Sequence, residues 1–443
     1  MGIMTSLFSG VSGLTNNGNA MTVIGNNIAN NNTIGFKGGR VLFSDLLSSQ
    51  VSGSGGTSQV GRGVGLSVVD NLFTQGTFEN TASNTDMAIE GEGFFIAQDP
   101  ITGNDLYTRA GAFRFDAGGN LITPEGYQVQ GYALNDAGEI SGELTDIQVD
   151  MMTLSAPKMT GNMTLTTNLD ADATYHGAFP TTDANGGYDP VALNNATNYA
   201  TSTNVYDSLG NSHPVTVWFS KMDPATNPLE WEYHATVDGR DIGLTNPDPN
   251  ADPDAPYPVE VTTGTVTFDA DGNLLSQNPD PPMIPGGSLA WDNNADQNQE
   301  INLNFNTTQY SSASVVISQS QDGYTTGNVA TLSVDNEGYV LGNYSNGLPK
   351  RLFQVALAKF SNPAGLVKEG NNMYGASVAS GDSVVGTVGS GIGKIFTNAL
   401  ERSNVDLAQE FVSMITTQRG FQASSKIITT TDEMLNELIN LKR

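Results

Sequence analysis

Apolar residues recur in alternating steps of three and four between residues 4 and 28. This spacing places them on one side of a helix and is the heptad pattern of helices that pack side by side. We therefore predict a helix over residues 4–30 that ends in the asparagine-rich segment 30–35. The predicted seam consists of Met4, Leu7, Val11, Leu14, Gly18, Met21, Gly25 and Ile28, with Ile24 beside it.

Residues 407–439 repeat this pattern near the other end of the chain. Ser403 or Asn404 is predicted to cap the start of this second helix, and Asp406 would lie in the first turn, where the helix dipole favours a negative charge. The second seam consists of Leu407, Phe411, Met414, Gln418, Phe421, Ser425, Ile428, Asp432, Leu435 and Ile439, and Ile415 widens its apolar face. We call the two seams together the apolar seam.

The N-terminal helix would be weak on its own. Gly18 and Gly25 each cost about 1 kcal/mol relative to alanine in a helix interior, and the asparagines favour turns. One interpretation is two amphipathic helices that pack separately on a globular core. The other is a bundle in which both ends of the chain pack on each other and on neighbouring copies. The weakness of the first helix favours the bundle, so the apolar residues of the seam are the predicted polymerisation interface.

Short alternating runs between the two ends predict antiparallel β-sheets joined by tight turns. In an Asp-x-x-Gly sequence the aspartate bonds to the turn amides and the glycine accepts a positive φ. Such turns are predicted at 116–119, 207–210, 269–272 and 335–338. Asp269, Asp271 and Asn273 also resemble the start of a calcium loop, but Leu274 and Asp280 stand where that loop needs glycine and glutamate. A plain turn is the favoured interpretation.

Composition limits the chemistry that is open to the chain. It has 443 residues, no cysteine, three histidines and a formal charge of −28. The lack of cysteine excludes disulfides and thiolate metal sites, and the acidic balance argues against nucleic acid as a partner. There is no apolar run of about 18 residues and no signal-peptide pattern, so membrane insertion is not expected. No cofactor or metal site is predicted either.

An enzyme is the competing functional class. Abundant carboxylates could pair as they do in a secreted glycoside hydrolase. The chain contains no G-x-S-x-G, H-E-x-x-H or P-loop sequence, and these sequences are the ones that would carry hydrolytic or phosphate chemistry. We therefore expect a structural protein and no enzymatic activity.

Several motifs resemble those of the bacterial flagellar rod and hook proteins. The terminal motifs contain Asn26, Asn27, Asn30, Gly35, Phe36 and Lys37 near the first helix, and Gln418, Arg419 and Asp432 in the second. Segments 75–95, 107–126 and 362–375 resemble the blocks that open and close the first β domain of that family. The order of these motifs along the chain also matches, so the resemblance covers nearly the whole chain.

The resemblance implies a subunit that polymerises into the flagellar hook, the flexible joint that transmits torque from rod to filament. Rod proteins of the family are shorter, and segments 205–211 and 266–274 of the large central insertion resemble the hook protein's outer domain; a distal rod subunit is the alternative. The implied partners are further copies of the chain, the distal rod protein, the hook–filament junction protein, the hook cap protein and the hook-length control protein. The implied location is the extracellular flagellum, reached by type III export without a cleaved signal peptide.

We predict a multidomain α+β fold in which the terminal helices pair as a coiled-coil-like bundle and discontinuous antiparallel β-sheet or barrel domains follow outward. The predicted parts are a helical core of 1–32 with 403–443, a linking segment of 33–75 with 376–402, an inner β domain of 76–150 with 310–375, and an inserted outer β domain of 151–309. This inserted segment holds 20 acidic and 3 basic residues, which suits a surface that faces solvent.

Overall fold

The computed structural model describes residues 2–53, 56–135, 137–152, 154–246 and 255–441. The chain forms two compact units. The terminal unit comprises Met1–Met151, Ala330–Asn343 and Pro349–Arg443, and the insertion unit comprises Met152–Val329 and Tyr344–Leu348. Among the described helices, none combines the length and the apolar content that crossing a bilayer requires.

The helices and strands fall into three consecutive stretches of the chain. The first part contains α1 (Gly2–Ala29), β1 (Gly39–Asp45), β2 (Ser49–Gly53), β3 (Gly56–Val60), β4 (Val64–Asn71), β5 (Phe78–Asn80), β6 (Met87–Glu90), β7 (Phe94–Gln98), β8 (Asp105–Thr108), β9 (Arg114–Phe115), β10 (Leu121–Ile122), β11 (Gln128–Leu134) and β12 (Ile140–Asp146). The middle contains β13 (Asn162–Asp170), α2 (Pro190–Ala196), β14 (Tyr199–Tyr206), β15 (Ser212–Lys221), β16 (Glu230–Asp238), β17 (Pro258–Phe268), β18 (Leu274–Asn278), β19 (Met283–Ile284), β20 (Ile301–Phe305), β21 (Thr308–Tyr310) and β22 (Val315–Gln321). The last part contains β23 (Val329–Val334), β24 (Tyr339–Tyr344), β25 (Pro349–Lys359), β26 (Val367–Gly370), β27 (Met373–Gly375), β28 (Val384–Thr387), β29 (Lys394–Thr397), β30 (Ala399–Glu401) and α3 (Leu407–Leu441).

The main sheet of the terminal unit is buried on both faces. Its strands follow the path β23-β24-β25-β11-β7-β8-β27-β26, so three strands from the first part of the chain lie between strands from the last part. On β25, Val355 and Leu357 point into one hydrophobic core, while Ala356 and Ala358 point into the other. Because successive side chains of a strand point to opposite faces, one strand serves both cores.

The insertion unit has its own core between two five-stranded sheets. One sheet is antiparallel in the order β14-β15-β16-β17-β18, as the alternating pattern predicts. The second departs from that prediction, because β13 pairs in parallel with both β20 and β21. Large aromatic side chains fill the space, and Trp231, Tyr233 and Phe219 are fully buried.

The Asp-x-x-Gly turns form as predicted. In each of the four, an aspartate carboxylate oxygen accepts a hydrogen bond from the backbone N–H four residues later, and the glycine has a positive φ. Asp269 uses the same oxygen for the N–H groups of Asp271 and Asn273. At Gly119 an added Cβ would lie 1.8 Å from the Val149 carbonyl oxygen, so a larger residue does not fit there.

The boundary of the insertion differs from the predicted one at 309. The insertion unit continues to Val329 and includes the turn Tyr344–Leu348. The reason is strand pairing, since β22 lies along β13 from Asn168↔Val315 to Met163↔Gln321. Residues 310–329 therefore belong to the inserted sheet rather than to the inner β domain.

This pairing gives a deletion test. Replacing residues 152–329 with a short Gly-Ser linker should leave a terminal unit that unfolds in one cooperative transition, because its main sheet keeps the hydrophobic cores on both of its faces. Deleting 151–309 instead should give a less stable or aggregating product, since β22 loses its partner β13. Urea unfolding followed by circular dichroism compares the two proteins, and equal stability would contradict the boundary at 329.

Candidate functional site

Helices α1 and α3 pack against each other through small side chains. An added Cβ on Gly10 would lie 3.1 Å from an isoleucine side chain of α3, and one on Gly13 would lie 2.8 Å from Ser424 Oγ. From the other side, a Cβ on Gly420 would lie 3.1 Å from the Asn17 side-chain oxygen. A larger residue would be crowded at these points because the two helices approach closely.

The side chains between the helices form a regular stripe of their own. Its members either contact the facing helix or are buried. On both helices they follow one another in steps of three or four residues, or in sums of such steps. We call this the helix-contact stripe; it contains Gly10, Gly13, Asn17, Ala20, Ile24 and Asn27 on α1, and Glu410, Gly420, Ser424, Ile427 and Thr431 on α3.

The predicted apolar seam lies one residue further along each helix than the helix-contact stripe. One residue corresponds to a rotation of about 100° around a helix axis. Most of the seam is therefore turned away from the facing helix, although its Ile428 lies against Gly10. Several of its side chains stay accessible: Val11 is 44% exposed, Phe411 50% and Ile415 51%. The helices pair through their small residues and leave the apolar ones for another contact.

The remaining predicted interface residues fall into three groups. Leu407, Phe421 and Ile439 are exposed; Leu7, Leu14, Met21, Ile28, Met414, Ile428 and Leu435 are half-buried; and Ile24 is buried within the chain. Beside the seam lies an open groove of about 340 Å³, lined by Gly18, Met21, Thr22, Gln418 and Phe421. An added Cβ on Gly18 or Gly25 would meet no atom within 4 Å, so the chain itself leaves this space open.

A third side of α1 packs on the β1–β4 hairpin. Asn16 Nδ2 donates to the Val64 carbonyl at 2.8 Å, and the Val64 N–H donates to Ser12 Oγ at 3.2 Å. Asn27 Nδ2 donates to the Gly39 carbonyl at 2.8 Å, while its Oδ1 accepts from the Gly39 N–H at 2.9 Å. The asparagines that weaken α1 in isolation thus bind it to the hairpin.

The other N-terminal motif residues shape the exit of the chain from α1. Asn26 and Asn30 line a cleft of about 140 Å³ together with Phe36. Gly35 has φ +67°, and an added Cβ would lie 2.5 Å from the Ala110 nitrogen. Only glycine can therefore make this contact with the main sheet.

Lys37 ends the motif in a buried ion cluster. Its Nζ donates to Glu401 Oε1 at 2.6 Å and to the Thr74 carbonyl at 2.8 Å. Arg109 lies on the other side, with a guanidinium nitrogen 3.5 Å from Glu401 Oε2, and all three side chains are at most 4% exposed. The Gly76 N–H also donates to Glu401 Oε1. Burial lowers the pKa of Lys37 and of Arg109, and the Glu401 charge opposes that effect.

Glu401 is the residue that sequence reasoning missed. The sequence pointed to it only indirectly. Lys37 lies in a motif with glycines on both sides, and a lysine that is buried needs a carboxylate as its partner. The C-terminal motif residues Gln418, Arg419 and Asp432 are exposed on α3 and take no part in this cluster. Within the described residues, no group of three or more acidic or histidine side chains is arranged to hold a metal ion.

The predicted cap of α3 at Ser403 or Asn404 is wrong. Asp406 is the cap, because its Oδ1 accepts from the Ala408 N–H at 2.8 Å and the Gln409 N–H at 3.3 Å. Asn404 is engaged elsewhere: it donates to the Leu72 carbonyl at 2.7 Å and accepts from the Gly38 N–H at 2.9 Å. It fixes the two chain segments beside each other.

The ion cluster can be tested by stability. Lys37→Met should lower the free energy of unfolding of the terminal unit by about 3–5 kcal/mol, since it leaves a buried carboxylate with one cation fewer. Adding Glu401→Gln should cost less than the sum of the single changes, because the two share one contact. The matched control is Lys359→Met, whose partner Glu92 is 77% exposed; it should unfold like the parent in urea. A Lys37→Met protein as stable as this control would show that the cluster contributes nothing.

Comparison with known proteins gives matches along most of the chain. Residues 7–37 match the family described as flagella basal body rod protein, and 397–441 match the flagellar basal body rod FlgEFG protein C-terminal family. Residues 88–165 match the flagellar hook protein FlgE/F/G D1 domain, and 168–324 match the flagellar basal body protein FlaE D2 domain.

Full-length relatives agree with these families. The chain is 36% identical to the flagellar hook protein FlgE of Borreliella burgdorferi, over 99% of this chain and 100% of that protein. It is 34% identical to the flagellar hook protein FlgE of Salmonella typhimurium, over 99% and 100% respectively. Helicobacter pylori flagellar hook protein FlgE2 is a similar solved structure, with a TM-score of 0.45 and 15% identity over 72% of this chain and 98% of that one. The chain therefore belongs to the flagellar hook protein FlgE family of structural flagellar proteins.

Proposed function

We propose that this subunit of the flagellar hook polymerises through its apolar seam, with the α1–α3 pair of each copy packing as part of a coiled-coil-like bundle. The observation that carries the proposal is the offset between the two stripes of side chains. Pairing of α1 with α3 uses the small residues and leaves the apolar side chains of the seam exposed.

The exposed seam is too large to be an ordinary surface feature. Phe411 and Ile439 of the seam, and Phe8 and Val412 beside it, are each at least half exposed on these two helices. Each square ångström of apolar surface removed from water contributes about 25 cal/mol, so covering these side chains strongly favours association. Contiguous apolar surface of this kind marks an interaction site in a protein that is stable alone.

The open groove supports a second copy as the occupant. Gly18 and Gly25 weaken the helix. No atom of the chain itself lies close enough to require a glycine at either position. A side chain from a neighbouring helix can enter the groove between Met21 and Phe421 in the way that knobs enter holes in a coiled coil. The seam residues Leu7, Leu14, Ile28, Met414, Leu435 and Ile439 would line the same contact.

We further propose a four-part subunit around this core. Helical residues 1–32 and 403–443 form the assembly core, 33–75 with 376–402 connect it to the main sheet, and that sheet forms the inner domain. The insertion, with its limits moved to 152–329 and 344–348, forms the outer domain. Its excess of acidic residues suits exposure to solvent on the outside of a polymer.

Family membership suggests the other partners and the location. We infer contacts with the distal rod protein, the hook–filament junction protein, the hook cap protein and the hook-length control protein. We also infer an extracellular location, reached by flagellar export without a cleaved signal peptide, and no catalytic activity. A distal rod subunit is not favoured, because the full-length relatives are hook proteins.

The seam is tested by charged substitutions at its exposed positions. Phe411→Asp and Ile415→Asp should abolish polymerisation, because a carboxylate would be buried without a partner in the assembled bundle. The unfolding midpoint of the free subunit should stay unchanged, since both side chains are already half exposed. Electron microscopy and sedimentation measure assembly.

A matched control comes from the insertion unit. Leu275 is 67% exposed, so Leu275→Asp makes the same chemical change on another surface and should leave polymerisation intact. Normal polymers from Phe411→Asp and Ile415→Asp would refute the seam as the assembly interface.

A further inference from the structure

The insertion unit holds a buried histidine between two carboxylates. His234 lies on β16, and its side chain is 7% exposed. Nδ1 lies 2.7 Å from Glu260 Oε1 on β17, and Nε2 lies 3.2 Å from Glu232 Oε1 on the same strand as the histidine. A neutral imidazole has one N–H and can donate on one side only, whereas the imidazolium donates on both. Nε2 is buried without a hydrogen bond of good geometry, so its contact with Glu232 is an ion pair. A ring that lies between two carboxylates is nevertheless favoured in its protonated form.

Two aromatic side chains from a single connector close over this ring. The connector, residues 171–189, joins β13 to α2. The Phe179 ring stacks on the imidazole with centroids 3.5 Å apart and planes 10° apart. The Tyr188 hydroxyl donates to Glu260 Oε2 at 2.8 Å, and its ring packs edge-on against Phe179. The histidine–glutamate pair thus holds the connector at two points.

The connector is also attached at both of its ends. At the first end Lys221 Nζ donates to the carbonyls of Ala171 and Ala173, and at the second the Tyr188 N–H donates to the Pro258 carbonyl. The Tyr257 hydroxyl donates to Asp183 Oδ2 at 2.6 Å, and Gly187 forms an isolated bridge with Val259. Burial raises the pKa of Tyr257 to about 12, so its hydroxyl remains a donor throughout the neutral range. These contacts hold both ends of the connector independently of His234, so the histidine can fasten only its middle, around Phe179.

We propose that His234 is a proton-operated clasp of the insertion unit: the imidazolium fastens the middle of residues 171–189 to the sheet through Phe179, and loss of its proton under alkaline conditions releases this middle part. Without the proton, one of the two glutamates faces a nitrogen lone pair instead of a donor. Phe179 then also loses the cation that its ring face attracts.

The groups around His234 set the direction of this effect. Glu232 faces it from β16, Glu260 from β17 and Tyr188 from the connector, while the residue opposite on β15 is the uncharged Trp218. Burial alone lowers the pKa of His234, but the contacts with Glu232 and Glu260 outweigh burial and raise that pKa above its ordinary value. The contact with His234 is in turn the main cause that lowers the pKa of Glu260.

The direction of the pH effect on stability follows from the linkage between proton binding and folding. Because the pKa of His234 is higher in the folded than in the unfolded state, the proton stabilises the fold fully below the unfolded-state pKa of about 6.5. That contribution is lost as the pH rises through the folded-state pKa. Since one proton is involved, the equilibrium constant for opening of the connector rises by at most about tenfold per pH unit.

The first experiment is a histidine titration of the full-length chain by NMR. The chain has three histidines, so the imidazole signals can be assigned by substituting them singly. We expect the signal that disappears in His234→Gln to titrate above the ordinary histidine range in the parent protein. If this signal titrates at or below that range, the proposal is overturned.

The second experiment is hydrogen exchange of the full-length chain at about pH 6 and about pH 9, corrected for the intrinsic pH dependence of exchange. The residues next to Phe179 and Tyr188 should lose protection at the higher pH in the parent and should have reduced protection at both pH values in His234→Gln, while the two ends of the connector stay protected. His176→Gln is the matched control, because His176 is an exposed histidine in the same connector; it should behave like the parent.

A further variant covers the case in which His234→Gln does not fold. Glu260→Gln keeps the histidine but removes the charge of the nearer of its two carboxylates. It should lower the titration midpoint of His234 and loosen the connector at a lower pH than in the parent. Protection of 171–189 that is independent of pH in the parent would overturn the proposal whatever the variants show.

Discussion

The terminal unit depends on one buried carboxylate. Glu401 is inaccessible to solvent and is neutralised by Lys37 and Arg109, which come from distant parts of the chain. A buried charge without partners is strongly destabilising. The chain segments that carry Glu401, Lys37 and Arg109 must therefore come together before any of these three charges can be buried. Lys37 follows the end of α1 by eight residues, and Glu401 precedes the start of α3 by six. The cluster therefore fixes the two terminal helices at neighbouring points on the main sheet.

The helix pair inherits its geometry from this junction. Asn404 joins the segment before α3 to Gly38 and Leu72, and Asn27 joins α1 to Gly39 and to Glu410 on α3. These polar contacts and the glycines of the helix-contact stripe bring the helices close together. Apart from isoleucines such as Ile24 and Ile427, the large apolar side chains lie outside this narrow contact, because the apolar seam is displaced around both helices. Intrachain pairing and the proposed assembly thus use different faces of the same two helices.

The sequence could predict what is encoded locally. Heptad spacing located both terminal helices, and Asp-x-x-Gly located four turns, because each depends on residues a few positions apart. The offset between seam and stripe was not predictable, since hydrophobic spacing shows that a face is apolar but not which neighbour covers it. Glu401, the parallel pairing of β13 and the continuation of the insertion past 309 were missed for a related reason. Each depends on partners more than 100 residues away in the chain.

The composition of the insertion unit explains why it uses a histidine where the terminal unit uses lysine and arginine. The unit contains three basic residues, and each is already engaged: Lys158 with Asp322, Arg240 with Asp238, and Lys221 with the carbonyls of Ala171 and Ala173. The partly buried Glu260 is therefore left with an imidazole as its cation. A lysine keeps its charge to about pH 10, whereas an imidazole loses its charge some pH units earlier. A strongly acidic unit with few lysines and arginines thus makes its own packing sensitive to alkaline pH. The Lys37–Glu401–Arg109 junction that positions the terminal helices uses lysine and arginine instead, whose ordinary pKa values lie far above that of histidine.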